Sequence, residues 1–150
     1  AMTDFVIMVE NTSYMFVTGP NVVKTVTKEQ VTSEELGGAS THATKSGVTH
    51  LVAANDLDCI NQIKKLLSYL PQNCEDVVPK LSYPIGDETR EVLDTLIPEN
   101  SMQPYDMRHV VEGICDTDSF FEIQKDFAEN IVIGFARIAG RSIGIIANQP

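Results

Sequence analysis

The chain has 150 residues, 43% of them hydrophobic and 21% charged, and carries a formal net charge of -10 at pH 7. That length suits one ordinary domain or two incomplete halves of a larger one, and the negative field disfavours a nucleic-acid phosphate backbone as partner. No apolar run approaches the roughly 20 residues a membrane helix requires, and no signal-peptide pattern is present.

In chain order, Phe5 to Val9 is a continuous apolar run of strand length, as expected of a buried strand. Tyr14 to Val17 predicts a second strand, stopped by Gly19-Pro20, and Pro20 opens a short helix through Val22, Val23 and Val26. Thr32 and Glu35 have the spacing of a capping box, whose helix must end quickly at Gly37-Gly38. His50 to Ala54 reads as another strand. Leu57, Ile60, Ile63, Leu67 and Leu70 then recur at three- and four-residue spacing, the pattern of an amphipathic helix. Asn55 or Asp56 caps it, Lys64 and Lys65 complement its C-terminal dipole, and Pro71 ends it.

From Gln72 to about Gly86 prolines and polar residues replace periodicity, which marks a linker. Beyond it Val92, Leu93, Leu96 and Ile97 suggest a short helix, and Asp106 caps another with Met107, Val110, Val111 and Ile114 on one face. Strands follow at Ser119 to Ile123, Ile131 to Ile138 and Ser142 to Ala147, with Ala139-Gly140 as a hairpin turn. Helices and strands mix in both halves, so the class is α/β or α+β. Apolar strands near both ends lead us to expect neighbouring strands from a longer chain, although strands at the termini of a complete sheet would read the same way.

The cysteines, Cys59, Cys74 and Cys115, form no C-x-x-C motif, so neither a zinc ribbon nor a disulfide framework is expected, and Cys59 and Cys115 read as core thiols. A cytoplasmic or organelle-matrix compartment is the default. His42 and His50 lie eight residues apart, a poor spacing for a shared metal on a helix, and His109 reads as a partly exposed helix residue. The segment from Glu34 to His50 is the densest candidate site. Its paired glycines permit close backbone approach or a nest of N–H groups for an anion; the alternative is a helix cap followed by a polar loop. A second candidate is the terminal hairpin, where Arg137 and Arg141 flank the turn and Arg108 and Lys125 stand as possible neighbours. Such cations suit the phosphates of a nucleotide-like ligand, or else guard a solvated strand edge.

Longer strings carry a resemblance. Thr3-Asp4-Phe5, Val9 to Pro20, Val22 to Thr27, Glu35 to Ala39 with His42, Ser46-Gly47-Val48 and Leu67 to Pro71 resemble the carboxyltransferase (beta) subunits of propionyl-CoA carboxylases. So do Pro104 to Arg108, Phe120 to Ile123, Gly134 to Arg137 and Gly144 to Pro150, in the family's order. Alpha subunits of methylmalonyl-CoA decarboxylases share these strings.

The resemblance implies an α/β fold made of parts of two crotonase-like (ClpP/crotonase spiral) domains. Residues 1–71 would end the N-terminal carboxyltransferase domain, 72–86 would link, and 87–150 would start the C-terminal domain. The implied reaction moves a carboxyl group from carboxybiotin to propionyl-CoA, giving methylmalonyl-CoA. Biotin would arrive on a separate carrier, with a biotin carboxylase/carrier subunit as partner and a homo-oligomer in the full-length protein. Phe135, Arg137, Arg141, Asn148 and Gln149 fall in the acyl-CoA-binding region by this resemblance. Gly37, Gly38, Ala39, His42, Ser46, Gly47 and His50 would line the biotin side or support it. The oxyanion donors of the family correspond to positions outside this sequence, so no catalytic residue and no metal ligand is expected within it. A sodium-pumping decarboxylase subunit and a non-catalytic binding or assembly module are the alternatives.

Overall fold

A computed structural model describes residues 3–83, 90–100 and 102–150. Residues 84–86 of the predicted linker and 87–89 at the start of the second predicted domain lie outside them. The chain forms two compact units, Ala1–Ile63 and Lys64–Pro150. No described helix is long and apolar enough to cross a membrane.

In the first unit, strand β1 (Ile7–Val9) pairs in parallel with β2 (Leu51–Ala53), in the register Ile7 to Leu51 and Val9 to Ala53. Parallel partners need a long crossover. Here it carries helices α1 (Pro20–Thr27), α2 (Ser33–Gly37) and α3 (Ala39–Thr41), and a π-helical turn (His42–Ser46). Met8, Val9, Leu51 and Ala53 are buried, as continuous apolar strands should be. The buried Thr49 hydroxyl donates to the Met8 sulfur at 2.8 Å, which satisfies it inside the core.

Pro20 stands in the first turn of α1, as expected, and the capping box of α2 is complete. Thr32 Oγ accepts from the Glu35 amide, while the Glu35 carboxylate accepts from the Thr32 amide at 2.9 Å. Tyr14 to Val17 departs from expectation. Only Tyr14 makes a bridge, to Gly38, and the rest is a loop, because the Met15 carbonyl is taken by a side chain instead of a neighbouring strand.

Helix α4 (Asp56–Leu67) is capped by Asn55, whose side-chain oxygen accepts from the Asp58 amide at 3.0 Å. Its expected apolar face is present but uncovered. Leu57, Ile60, Ile63 and Leu67 are exposed by 75%, 47%, 39% and 60%, and the buried residue of the helix is Leu66.

The second unit holds an antiparallel sheet, β3 (Phe121–Ile123), β4 (Ile131–Ile138) and β5 (Arg141–Asn148), in that order. Alternation along β4 sends Val132 and Ala136 inward, and Ile143, Ile145 and Ala147 of β5 share that side. Helix α6 (Met107–Ile114), capped by Asp106, lays Val111 and the following Cys115 on Ala136, with Met107 and Phe120 closing the cluster. Each fully buried aliphatic side chain of this size contributes about 1.5–3 kcal/mol. Helix α5 (Arg90–Leu96) packs on α6 where Leu93 lies over Gly113. Among the cysteines, Cys115 is buried as expected, but Cys59 is only partly buried because it lies beside the uncovered face of α4.

The turn between β4 and β5 is the predicted Ala139-Gly140. Both residues have positive φ, 51° and 78°, the signature of the tight turn that matches strand twist. Asp116 holds it: its two carboxylate oxygens accept from the Ala139 and Gly140 amides at 2.9 and 2.7 Å.

Candidate functional site

The Glu34 to His50 segment folds as short helical pieces whose groups satisfy one another. The Gly38 amide donates to the Glu34 carbonyl, and the His42 amide to the Gly38 carbonyl. The glycines serve close approach. A Cβ on Gly37 would overlap the Met15 carbonyl, and one on Gly38 would overlap the Glu34 carboxylate. Glu34 Oε2 is buried there with no hydrogen-bond partner among the described residues. Ala39 is fully buried behind them. Capping by Thr32 holds the Glu35 carboxyl below its usual range.

His42 reaches across this arrangement. Its Nε2 lies 2.5 Å from the Met15 carbonyl oxygen and its Nδ1 lies 2.8 Å from Ser46 Oγ. A carbonyl only accepts, so Nε2 carries the proton, and in the neutral ring Nδ1 accepts from the Ser46 hydroxyl. Gly47, at φ 66°, closes the π-helical turn after Ser46. His50 acts elsewhere, with its Nδ1 accepting from the Val6 amide at 3.1 Å and its ring standing edge-on to Phe5. The two histidines therefore serve different parts of the unit. Among the described residues no cluster of three or more His, Cys, Asp or Glu side chains suits a metal. A cleft of about 400 Å³ nearby is lined by Pro20, Asn21, Lys24, Gln30, Val31 and Thr32.

In the second unit the hairpin residues divide into inward and outward sets. Arg137 is buried. Its Nη2 donates to the Ser68 carbonyl at 2.9 Å and to Ser68 Oγ at 3.0 Å, and the guanidinium carbon sits 3.9 Å from the Tyr69 ring centroid. Its Nε is buried with no hydrogen-bond partner in the described structure. Tyr69 stacks on both Phe121 and Phe135, and its hydroxyl donates to the Ser119 carbonyl at 2.5 Å. Burial raises the Tyr69 phenol above its ordinary value, an effect opposed by the nearby Arg137. Gln149 also faces inward: its oxygen accepts from the Met107 amide and its nitrogen donates to the Tyr105 carbonyl. Arg141 and Asn148 are exposed at opposite ends of β5.

Arg108 binds Glu122 through two nitrogens, Nη2 at 2.7 Å and Nε at 2.9 Å, instead of joining Arg137. That pairing holds the Arg108 guanidinium even further above the usual range. A cleft of about 460 Å³ lies among Lys65, Glu112, Asp116, Thr117, Asp118 and Phe120.

Sequence reasoning passed over Tyr69, Ser68 and Asp116. Tyr69 lies in the Leu67 to Pro71 string, but nothing local announces that it will meet strands some 50 residues away. The Met15 carbonyl, a backbone group, leaves no sequence signal at all.

The family model for the carboxyl transferase domain matches residues 1–150. The propionyl-CoA carboxylase beta chain of Cereibacter sphaeroides is 52% identical over 153 residues, covering 100% of this chain and 30% of that protein. The biotin-dependent acetyl-/propionyl-coenzyme A carboxylase beta5 subunit of Mycobacterium tuberculosis is 53% identical over 159 residues, covering 100% and 29%. The methylmalonyl-CoA decarboxylase subunit alpha of Veillonella parvula is 50% identical over 153 residues, covering 100% and 30%. Among solved structures, a transcarboxylase 12S hexamer with hydrolysed methylmalonyl-coenzyme A bound superposes with a TM-score of 0.93 at 42% identity, covering 99% of this chain and 29% of that one. The chain thus spans about 30% of the length of these relatives.

Proposed function

This chain belongs to the carboxyl transferase domain family, with its α/β, crotonase-like fold, and on that premise we propose that it is part of the carboxyltransferase subunit of a biotin-dependent acyl-CoA carboxylase. That subunit moves a carboxyl group from carboxybiotin to propionyl-CoA, giving methylmalonyl-CoA. The support is the match of all 150 residues to the family model, with relatives above 50% identity named for propionyl-CoA carboxylation. The wider proposal has a biotin carboxylase and carrier subunit as partners, a homo-oligomer and a cytoplasmic setting. The free cysteines agree with a reducing compartment.

Within the chain we assign residues 1–71 to the end of the N-terminal domain, 72–86 to a linker and 87–150 to the start of the C-terminal domain. Of the hairpin residues, Arg141 and Asn148 offer exposed side chains to an acyl-CoA, while Phe135, Arg137 and Gln149 shape the surface from within. Of the two roles weighed for Gly37, Gly38, Ala39, His42, Ser46, Gly47 and His50, their contacts favour support. The Gly38 and His42 amides are already bonded to carbonyls and the space a Cβ would take at Gly37 and Gly38 is filled, which favours a structural role for these residues over direct contact with biotin.

The 50% identity to a decarboxylase alpha subunit favours a second reading, release of CO2 from methylmalonyl-CoA. One assay separates the two. The intact subunit, given a carboxylated biotin carrier and propionyl-CoA, should form methylmalonyl-CoA. Decarboxylation coupled to sodium transport by membrane partners selects the second reading, and a subunit that carries out neither reaction overturns both.

A further inference from the structure

We propose that His42 is a positioning residue that locks the loop 14–17 through the Met15 carbonyl, making that loop a fixed apolar wall for the acyl end of the thioester substrate. The identity of the ligand rests on the function proposed above; the lock does not.

Tyr14, Met15, Phe16 and Val17 are exposed by 45%, 38%, 39% and 102%. Four consecutive large apolar side chains at a surface make a poor anchor for their own loop. The backbone anchors it instead. The Met15 amide donates to the Gly37 carbonyl at 2.8 Å, Tyr14 bridges to Gly38, and the Met15 carbonyl lies against the Gly37 Cα while accepting from His42 Nε2. The Met15 carbonyl can only accept, so it fixes the tautomer with the proton on Nε2, and Ser46 Oγ at 2.8 Å meets Nδ1 on the other side of the ring. The Tyr14 hydroxyl also donates to the Asn11 carbonyl at 2.8 Å, and a fixed backbone that keeps Met15, Phe16 and Val17 exposed prepares a surface for contact at low entropic cost.

Charge selects the occupant. In a chain of net charge -10, residues 11–19 carry no charged side chain. They match the neutral acyl and thioester end of propionyl-CoA. The phosphates of the coenzyme and the carboxylate of the carboxyl donor require cations.

The test uses the intact subunit with His42→Ala and His42→Gln. Losing one hydrogen bond of about 1.4 kcal/mol corresponds to about a tenfold change. His42→Ala should raise chymotrypsin cleavage after Tyr14 and Phe16 by about that factor, and raise the KM for propionyl-CoA several-fold, with the KM for the carboxyl donor unmoved and kcat little affected. Gln, whose amide N–H can donate to the same carbonyl, should restore both readouts. Unchanged cleavage overturns the lock. Faster cleavage with an unchanged KM for propionyl-CoA, or a KM rise confined to the carboxyl donor, overturns the acyl wall. A wild-type subunit that transfers no carboxyl overturns the function reading and the wall together, while the cleavage arm still decides the lock.

Discussion

Cys115 and Cys74 show how far burial separates two residues of one type. Cys115 is 5% exposed in the cluster under α6, and burial, followed by the charge of Asp116, raises its thiol above the ordinary value. Cys74 is exposed. Because the thiolate is the reactive form, iodoacetamide at pH 8 should modify Cys74 in the native protein and leave Cys115 intact until denaturant is added. Peptide mapping reads this directly, and prompt native labelling of Cys115 would contradict the packing described. Arg137 follows the same logic. Its charge makes it a candidate ligand contact in the sequence, yet its guanidinium lies on Tyr69 and bonds to Ser68. Whether an arginine faces water or an aromatic ring depends on what the fold brings near, and a string of letters does not carry that.

Local chemistry made several elements legible. The Thr32–Glu35 capping box, the Pro20 start, the Asp106 cap and the Ala139-Gly140 turn are each decided within a few residues, and each folds as read. The Tyr14 to Val17 strand failed for the opposite reason: its pairing depended on distant groups, Gly37, Gly38 and His42. The turn supports a sharp prediction. Ala139 holds φ 51°, where a Cβ costs roughly 1 kcal/mol, so Ala139→Gly should stabilise by up to about that amount. Gly140→Ala should destabilise by about 2 kcal/mol or more, because its Cβ would both strain φ 78° and collide with the Leu81 carbonyl. Urea unfolding of the two variants measures both, and an equal response at the two positions would count against the turn geometry.

For the whole molecule, the exposed stripe on α4 (Leu57, Ile60, Ile63, Leu67) and the exposed Ile146 of β5 matter most. An exposed apolar stripe such as that along α4 drives association. The isolated 150-residue chain should bind a hydrophobic dye and self-associate with rising concentration, and Leu57→Lys with Ile60→Lys should reduce both; sedimentation velocity is the check. The stripe itself was readable from spacing, whereas its lack of cover was not, since periodicity reports which face is apolar and never what meets it. The family was legible because long strings in order outweigh any single motif. The β4–β5 hairpin has one more consequence. Its eight partnered positions, Ile131 to Asn148 through Ile138 to Arg141, close around a two-residue connection, so this pairing demands little chain searching. β1 and β2 must wait for a crossover of some forty residues to come round before they can meet. In any nascent copy of this polypeptide, the hairpin is therefore ready to nucleate its half on the microsecond scale, and the parallel pair sets the pace for the other.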